Sequence, residues 1–297
     1  MTGPLIDVQH ARGSRRRWLK DLAAGAGAAA LGGALTTRAT AAVPELPAAL
    51  RGQGYQLVKD WDFARTVTTD AQLRAEFFTR YIYEGGKLDR LNDEWQRYRD
   101  NQNHVFENGV LALVARAPAG VAAGGKIESG MLRSKWSGQY GYFECRMKVP
   151  GARGMWPAFW LNPQDQIWPP EIDIVEIVNN GRDTTRNSFH FVHGGASEGR
   201  TVKSLFDKHQ TYRPGFDYQD DFHTFALEWT ATHTRHYVDE VLVIEREFPW
   251  KHKGGADAGP AHVLLNLAVG GSWPGPPTGL DAFPAKLLVQ HIRVWQR

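Results

Sequence analysis

The sequence predicts an all-β fold, a sandwich of two antiparallel sheets in one domain, and three observations carry the prediction. Short alternating or wholly apolar runs recur along the chain, separated mostly by Gly, Pro and Asn. Long helical periodicity is almost absent. The ~255 residues that follow the N-terminal segment lie within the range of a single sandwich, and no linker or internal repeat divides them.

Residues 1–41 read as a targeting segment outside that fold. Ser14-Arg15-Arg16-Arg17-Trp18-Leu19-Lys20 is a twin-arginine pattern, followed by an Ala/Gly/Leu-rich stretch from Leu22 to Leu35 and small residues at Ala39-Thr40-Ala41. The apolar stretch is shorter than the ~20 residues a membrane span needs, so cleavage near Ala42 is expected rather than anchoring. Export by the twin-arginine route to the periplasm or the extracellular space follows.

The expected strands are Tyr55–Lys59, Val110–Ala115, Gly141–Val149, Met155–Leu161, Glu171–Val178, Ser188–Val192, Thr224–Trp229, Arg235–Val238, Leu242–Glu247, His262–Val269 and Leu287–Trp295. Asp70–Phe78 is the one expected helix, with Asp70 as its cap. In the run from Tyr140 to Pro150, Tyr142, Glu144, Arg146 and Lys148 alternate with Phe143, Cys145, Met147 and Val149. One face is polar and the other core, which suggests a polar-faced strand beside a ligand groove.

Glu171-Ile172-Asp173-Ile174-Val175-Glu176 places three acids in a run of β-branched residues, where burying carboxylates is costly. Regular alternation would put Glu171 and Asp173 on one face and Glu176 on the other. An extra residue accommodated as a β-bulge near Ile174-Val175 shifts the parity, so that all three acids share one face and Ile172 and Ile177 the other. Paired carboxyls at such a spacing suit glycoside hydrolysis, whose retaining form needs an acid and a nucleophile roughly 5–5.5 Å apart. A metal site or a solvated sheet edge could present the same three acids.

Composition narrows the alternatives. Of 35 basic and 32 acidic residues, six basic and two acidic fall within residues 1–41, leaving 29 and 30. The remainder is close to neutral and has no phosphate-binding surface for nucleic acid. Cys145, the one cysteine, excludes an internal disulfide and reads as a small core residue. Among the 11 Trp, Trp156, Trp160, Trp168 and Trp273 fall at strand ends or loops and suit the C–H faces of sugars, whereas Trp61, Trp136, Trp229, Trp250 and Trp295 read as packing. Gly195-Ala196-Ser197-Glu198-Gly199 matches a hydrolase elbow without the flanking strand and helix that make one. The 11 His show no metal motif, with His233 and His236 expected on a turn and a strand surface.

With these residues in view, the chain resembles glycoside hydrolase family 16, in its laminarinase-like branch. The resemblance rests on Glu171–Glu176, on Gly154-Met155-Trp156-Pro157-Ala158-Phe159-Trp160-Leu161, on Asn92-Asp93-Glu94-Trp95-Gln96-Arg97-Tyr98, on Phe222–Trp229 with Tyr237-Val238-Asp239, and on Leu265–Gly275. It implies a concanavalin A-like β-jelly-roll with a concave substrate groove over residues 42–297. It also implies a retaining endo-glycoside hydrolase acting by double displacement on a β-linked polysaccharide, a β-1,3- or β-1,3-1,4-glucan. A transglycosylase using the same residues and a non-hydrolytic carbohydrate-binding sandwich are the rivals. By motif position Glu171 would be the nucleophile, Glu176 the acid/base and Asp173 the orienting group. Trp156, Trp160, His190, Trp273 and Asn92 would contact substrate. At the position of a family arginine stands Met131, so either Arg133 substitutes for it or the subsite differs. The family requires no cofactor, and a structural calcium ion on the convex face is compatible with it. The expected partner is a polysaccharide, with the protein a monomer that has no membrane span after signal cleavage.

Overall fold

The structure is a computed structural model that describes residues 44–117, 126–179, 189–191, 193–194, 210–212, 214–278 and 282–297, with only the backbone for 49, 189–191, 193–194 and 210–212. The expected signal segment, the Gly195–Gly199 motif and the His190 side chain lie outside the described residues. Those described belong to one compact unit, Pro44–Arg297, and among them no helix is long and apolar enough to cross a membrane.

Two eight-stranded sheets form the expected jelly-roll sandwich. In the first, the order is Gln210–Tyr212, Phe189–Phe191, Glu171–Glu176, Met155–Pro163, Ala261–Val269, Met131–Gly138 and Phe77–Phe78, and His193–Gly194 also pairs with the acidic strand. The second sheet runs Val241–Glu247, His233–Val238, His223–Trp229, Gly141–Lys148, Ala285–Gln296, Val110–Ala115 and His104–Glu107, with Gln56–Asp62 also on Ala285–Gln296. All pairings within these two sheets are antiparallel. Between the sheets lies one continuous core, in which Phe143, Cys145 and Met147 meet Phe159, Leu161, Ile172, Val175 and Leu265. The alternating apolar positions of each strand converge there, on the facing sides of the two sheets.

Three local readings are corrected. The helix spans Asp70–Glu76, and its cap is Thr69 rather than Asp70: the Thr69 hydroxyl accepts from Gln72 N, while the Gln72 side chain reaches back to the Thr69 N–H. Thr-Asp-Ala-Gln is a capping box, which leaves Asp70 in the first turn. The polar-faced strand Gly141–Lys148 lies in the second sheet, away from the acids. Its polar side chains bond within that outer face, Arg146 to Gln290 and Thr224, and Lys148 to the Asp220 carbonyl. His236 is 1% exposed rather than on a strand surface. The register shifts between His236 and Tyr237, so the parity read from sequence reverses there.

Candidate active site

The acidic strand pairs with Met155–Pro163 in the register Ile172↔Leu161, Asp173↔Trp160, Val175↔Phe159 and Glu176↔Ala158, with a shift between Asp173 and Val175. The extra residue is Ile174, so the expected bulge is present. Ile172, Ile174, Val175 and Ile177 all enter the core, while Glu171, Asp173 and Glu176 line a cavity of about 70 Å³ on the opposite face. Across the sheet, cross-strand registers set two rows on that face. One runs Met131, Asn266, Ala158, Glu176 and the other Arg133, Leu264, Trp160, Asp173.

Hydrogen bonds fix the groups around the acids. Trp156 Nε1 donates to Glu176 Oε1 at 2.9 Å, and the Trp156 ring meets Trp273 edge-on with centroids 5.1 Å apart. Trp160 Nε1 donates to Asn266 Oδ1 at 2.7 Å, and Asn266 Nδ2 donates to Tyr98 OH at 3.0 Å. Trp160 and Asn266 are therefore locked as walls of the cavity. Asn92, with φ +48°, is exposed at its mouth.

Electrostatics separate the three carboxyls. Glu171 opens partly to the cleft. Burial raises its pKa to about 7 against opposing hydrogen bonds from Trp168 and Asp173. Burial and the Glu171 charge push Glu176 up to about 8, and burial between two glutamates drives Asp173 well above the carboxylate range. The hydrogen bond between Asp173 and Glu171 lowers the Glu171 pKa and raises that of Asp173, so Asp173 is its donor.

Glu94 is a fourth carboxyl on the cavity wall that the sequence reading left unassigned. It is buried, accepts from Gln96 Nε2 at 2.6 Å, and burial pushes its pKa up to about 7. The signal for it was its place two residues after Asn92 in a segment already matched to a cleft wall. Tyr81 and Asn266, also on the wall, were not singled out either.

The remaining predicted residues are placed as follows. His190 stands opposite Glu176 in the backbone register. Arg133 is away from the cavity: it is buried beneath Phe78, 4.3 Å from that ring, and its Nε donates to the Arg80 carbonyl. Met131, at the position read as the missing arginine, packs on Tyr81, Tyr98 and Trp160. The cleft floor there is apolar, and Arg133 does not restore a cation to it. The acids of the outer sheet are engaged in ion pairs and hydrogen bonds. Asp60 and Asp62 accept from Arg293 and Arg65, Glu144 accepts from His291, and among the described residues no cluster of three or more His, Cys, Asp or Glu could hold a metal ion.

The chain is similar in sequence and in fold to known proteins. The family model "Glycosyl hydrolases family 16" matches residues 92–282. The beta-glucanase of Rhodothermus marinus is 35% identical over 242 residues, which are 73% of this chain and 79% of that protein. Endo-1,3-1,4-beta-glycanase ExsH of Rhizobium meliloti is 34% identical over 63% of this chain and 38% of its own length. The laminarinase catalytic domain of Thermotoga maritima MSB8 superposes with a TM-score of 0.65 at 28% identity, covering 82% of this chain and 98% of that one. With the bulged acidic strand, the tryptophan strand beside it and a family match over most of the chain, the protein belongs to glycosyl hydrolase family 16.

Proposed function

We propose that the protein is a retaining endo-hydrolase of β-glucans, cleaving β-1,3- or β-1,3-1,4-linked chains. The observation that carries it is the single strand face bearing Glu171, Asp173 and Glu176, with Trp156 donating to Glu176. Glu171, ionised once its proton is lost, attacks the anomeric carbon while Glu176 gives its proton to the departing glycosidic oxygen. The product is a glycosyl ester on Glu171. Glu176, now a carboxylate, takes a proton from water as that water attacks the same carbon and frees Glu171. Asp173 holds the Glu171 carboxylate by its own hydroxyl and keeps it from rotating out of line. Only carboxyl chemistry is used, so no cofactor enters the cycle.

The names of the relatives support the substrate class: a beta-glucanase, endo-1,3-1,4-beta-glycanases, and a non-specific endo-beta-1,3(4)-glucanase of the same fold. Laminarin, lichenan, agarose and carrageenan, each followed by product sizing and by NMR of the newly formed anomer, test the reading. Oligosaccharides of retained β configuration from laminarin or lichenan are expected. Cleavage confined to the galactans, or an inverted product, would overturn it.

The twin-arginine segment supports export to the periplasm or medium. Replacing Arg15, Arg16 and Arg17 with Lys is expected to leave the enzyme in the cytoplasmic fraction.

A further inference from the structure

The loop between the tryptophan strand and the acidic strand, residues 164–170, is poor in its own backbone bonds. Pro169 and Pro170 have no N–H to give, and among the bonds that tie the loop are Gln164 N to the Pro260 carbonyl, Gln166 N to the Pro163 carbonyl, Ile167 N to Asp165 Oδ1 and Ser137 Oγ to Gln164 Oε1. Yet this loop carries Trp168, whose side chain donates to Glu171 and opposes the rise in that carboxyl's pKa.

His252 supplies the missing hold. Its Nδ1 lies 2.9 Å from the Pro169 carbonyl and its Nε2 lies 2.8 Å from Asp165 Oδ2, with the residue 8% exposed. Both partners are acceptors, so whichever ring nitrogen carries the hydrogen donates to the partner it faces. The main chain that carries the ring is held as well. His252 N donates to the Ala256 carbonyl and Gly255 N to the His252 carbonyl. Two residues earlier Trp250 is sunk in the core, 4.8 Å from the Trp229 ring, with its Nε1 on the Gly259 carbonyl.

We propose that His252 is a positioning residue for Glu171: by clamping the Pro169 carbonyl and the Asp165 carboxylate it holds the 164–170 loop so that the Trp168 indole stays on the Glu171 carboxylate. The inference rests on reading Glu171 as the nucleophile, and its test therefore includes a readout that needs no turnover. His252 is not among the residues that line the cavity, and its effect passes through the neighbouring residue of the loop to a hydrogen bond.

The test compares His252→Leu, His252→Asn, Trp168→Phe and the His252→Leu/Trp168→Phe double variant on laminarin or lichenan. His252→Leu is expected to lower kcat on the order of 10- to 100-fold with little change in KM, as for a misplaced reacting group. Its acidic limb in kcat/KM is expected to move to higher pH, because Glu171 loses a donor that favours its charged form. Trp168→Phe should move the limb by the same amount and the double variant no further. His252→Asn, which keeps an N–H near the place of Nδ1, should recover most of the shift. In parallel, carboxyl-labelled Glu171 is titrated by NMR in a Glu176→Gln background with and without His252→Leu. An upward shift is expected there whether or not Glu171 is the nucleophile. An unmoved Glu171 titration, or shifts that add in the double variant, would overturn the proposal. If His252→Leu fails to fold, Asp165→Ala cuts one arm of the clamp at the surface, and an unchanged Glu171 titration in that variant overturns it equally.

Discussion

The imidazole of His236 lies across the sandwich from the acidic strand, its Nδ1 3.2 Å from the carbonyl oxygen of Ile174. Ile174 is the bulge residue, so this ring bonds the carbonyl of the residue that brings Glu176 to the cleft face. Burial pushes the His236 pKa down to about 4, and the neutral ring donates from Nδ1. Replacing it with Leu keeps the volume and leaves the Ile174 carbonyl buried without that donor, at a cost of roughly 1–3 kcal/mol. Urea unfolding of His236→Leu should show that loss, with a lower kcat on β-glucan at similar KM. An unchanged kcat would separate the bulge from the imidazole.

Glu171→Ala and Glu176→Ala are each expected to abolish hydrolysis while oligosaccharide binding persists. Azide is expected to revive Glu171→Ala with inversion, because a small anion can occupy the deleted carboxylate's place and only one displacement then occurs. Calorimetry with a laminari-oligosaccharide and polarimetry of the rescued reaction are the checks.

The pH profile follows from the two glutamates. Activity needs Glu171 without its proton and Glu176 with it, and their pKa values near 7 and 8 order the limbs correctly. The kcat/KM profile of the free enzyme should be a narrow bell with its maximum on the alkaline side of neutrality. The three carboxyls interact, so the limbs belong to the trio rather than to one residue. A broad plateau from pH 4 to 6 would contradict the buried, mutually repelling arrangement.

Glu94 gives a separate handle, since its negative charge raises the Glu176 pKa. Glu94→Gln should draw the alkaline limb of the profile to lower pH and leave the acidic limb nearly in place. Stability should respond as well. A carboxyl whose pKa is about 7 in the folded protein against 4.5 unfolded binds more protons when folded. Stability therefore declines as pH rises through that interval, by roughly 3 kcal/mol for this one group. Thermal unfolding at pH 5 and pH 9 should show a smaller difference in Glu94→Gln than in the native enzyme.

Much of this was legible because strand periodicity is local. Val110–Ala115 stands as expected, and the bulge at Ile174 was readable from parity alone, since only one arrangement kept three acids off the core. The strand Met131–Gly138 was not among the expected runs. Arg133, Ser134 and Lys135 break its apolar signal, and the burial of Arg133 comes from Phe78 and the Arg80 carbonyl, more than fifty residues earlier. Alternation along Gly141–Lys148 gave its two faces and could not say which sheet it joins, a matter of pairing with His223–Trp229 and Ala285–Gln296. His252 was illegible for the same reason, being 83 residues from the carbonyl it holds.

Trp156 joins two things a sugar chain would meet: the edge of Trp273 and, through its N–H, the carboxyl read as the proton donor. An indole hydrogen-bonded to a titrating carboxyl is an optical reporter placed by the fold itself. The emission difference between the native enzyme and Trp156→Phe would follow Glu176 through its titration with no label attached, and the same signal would register a ligand settling on Trp273. Proton state and occupancy can thus be watched from one residue during turnover.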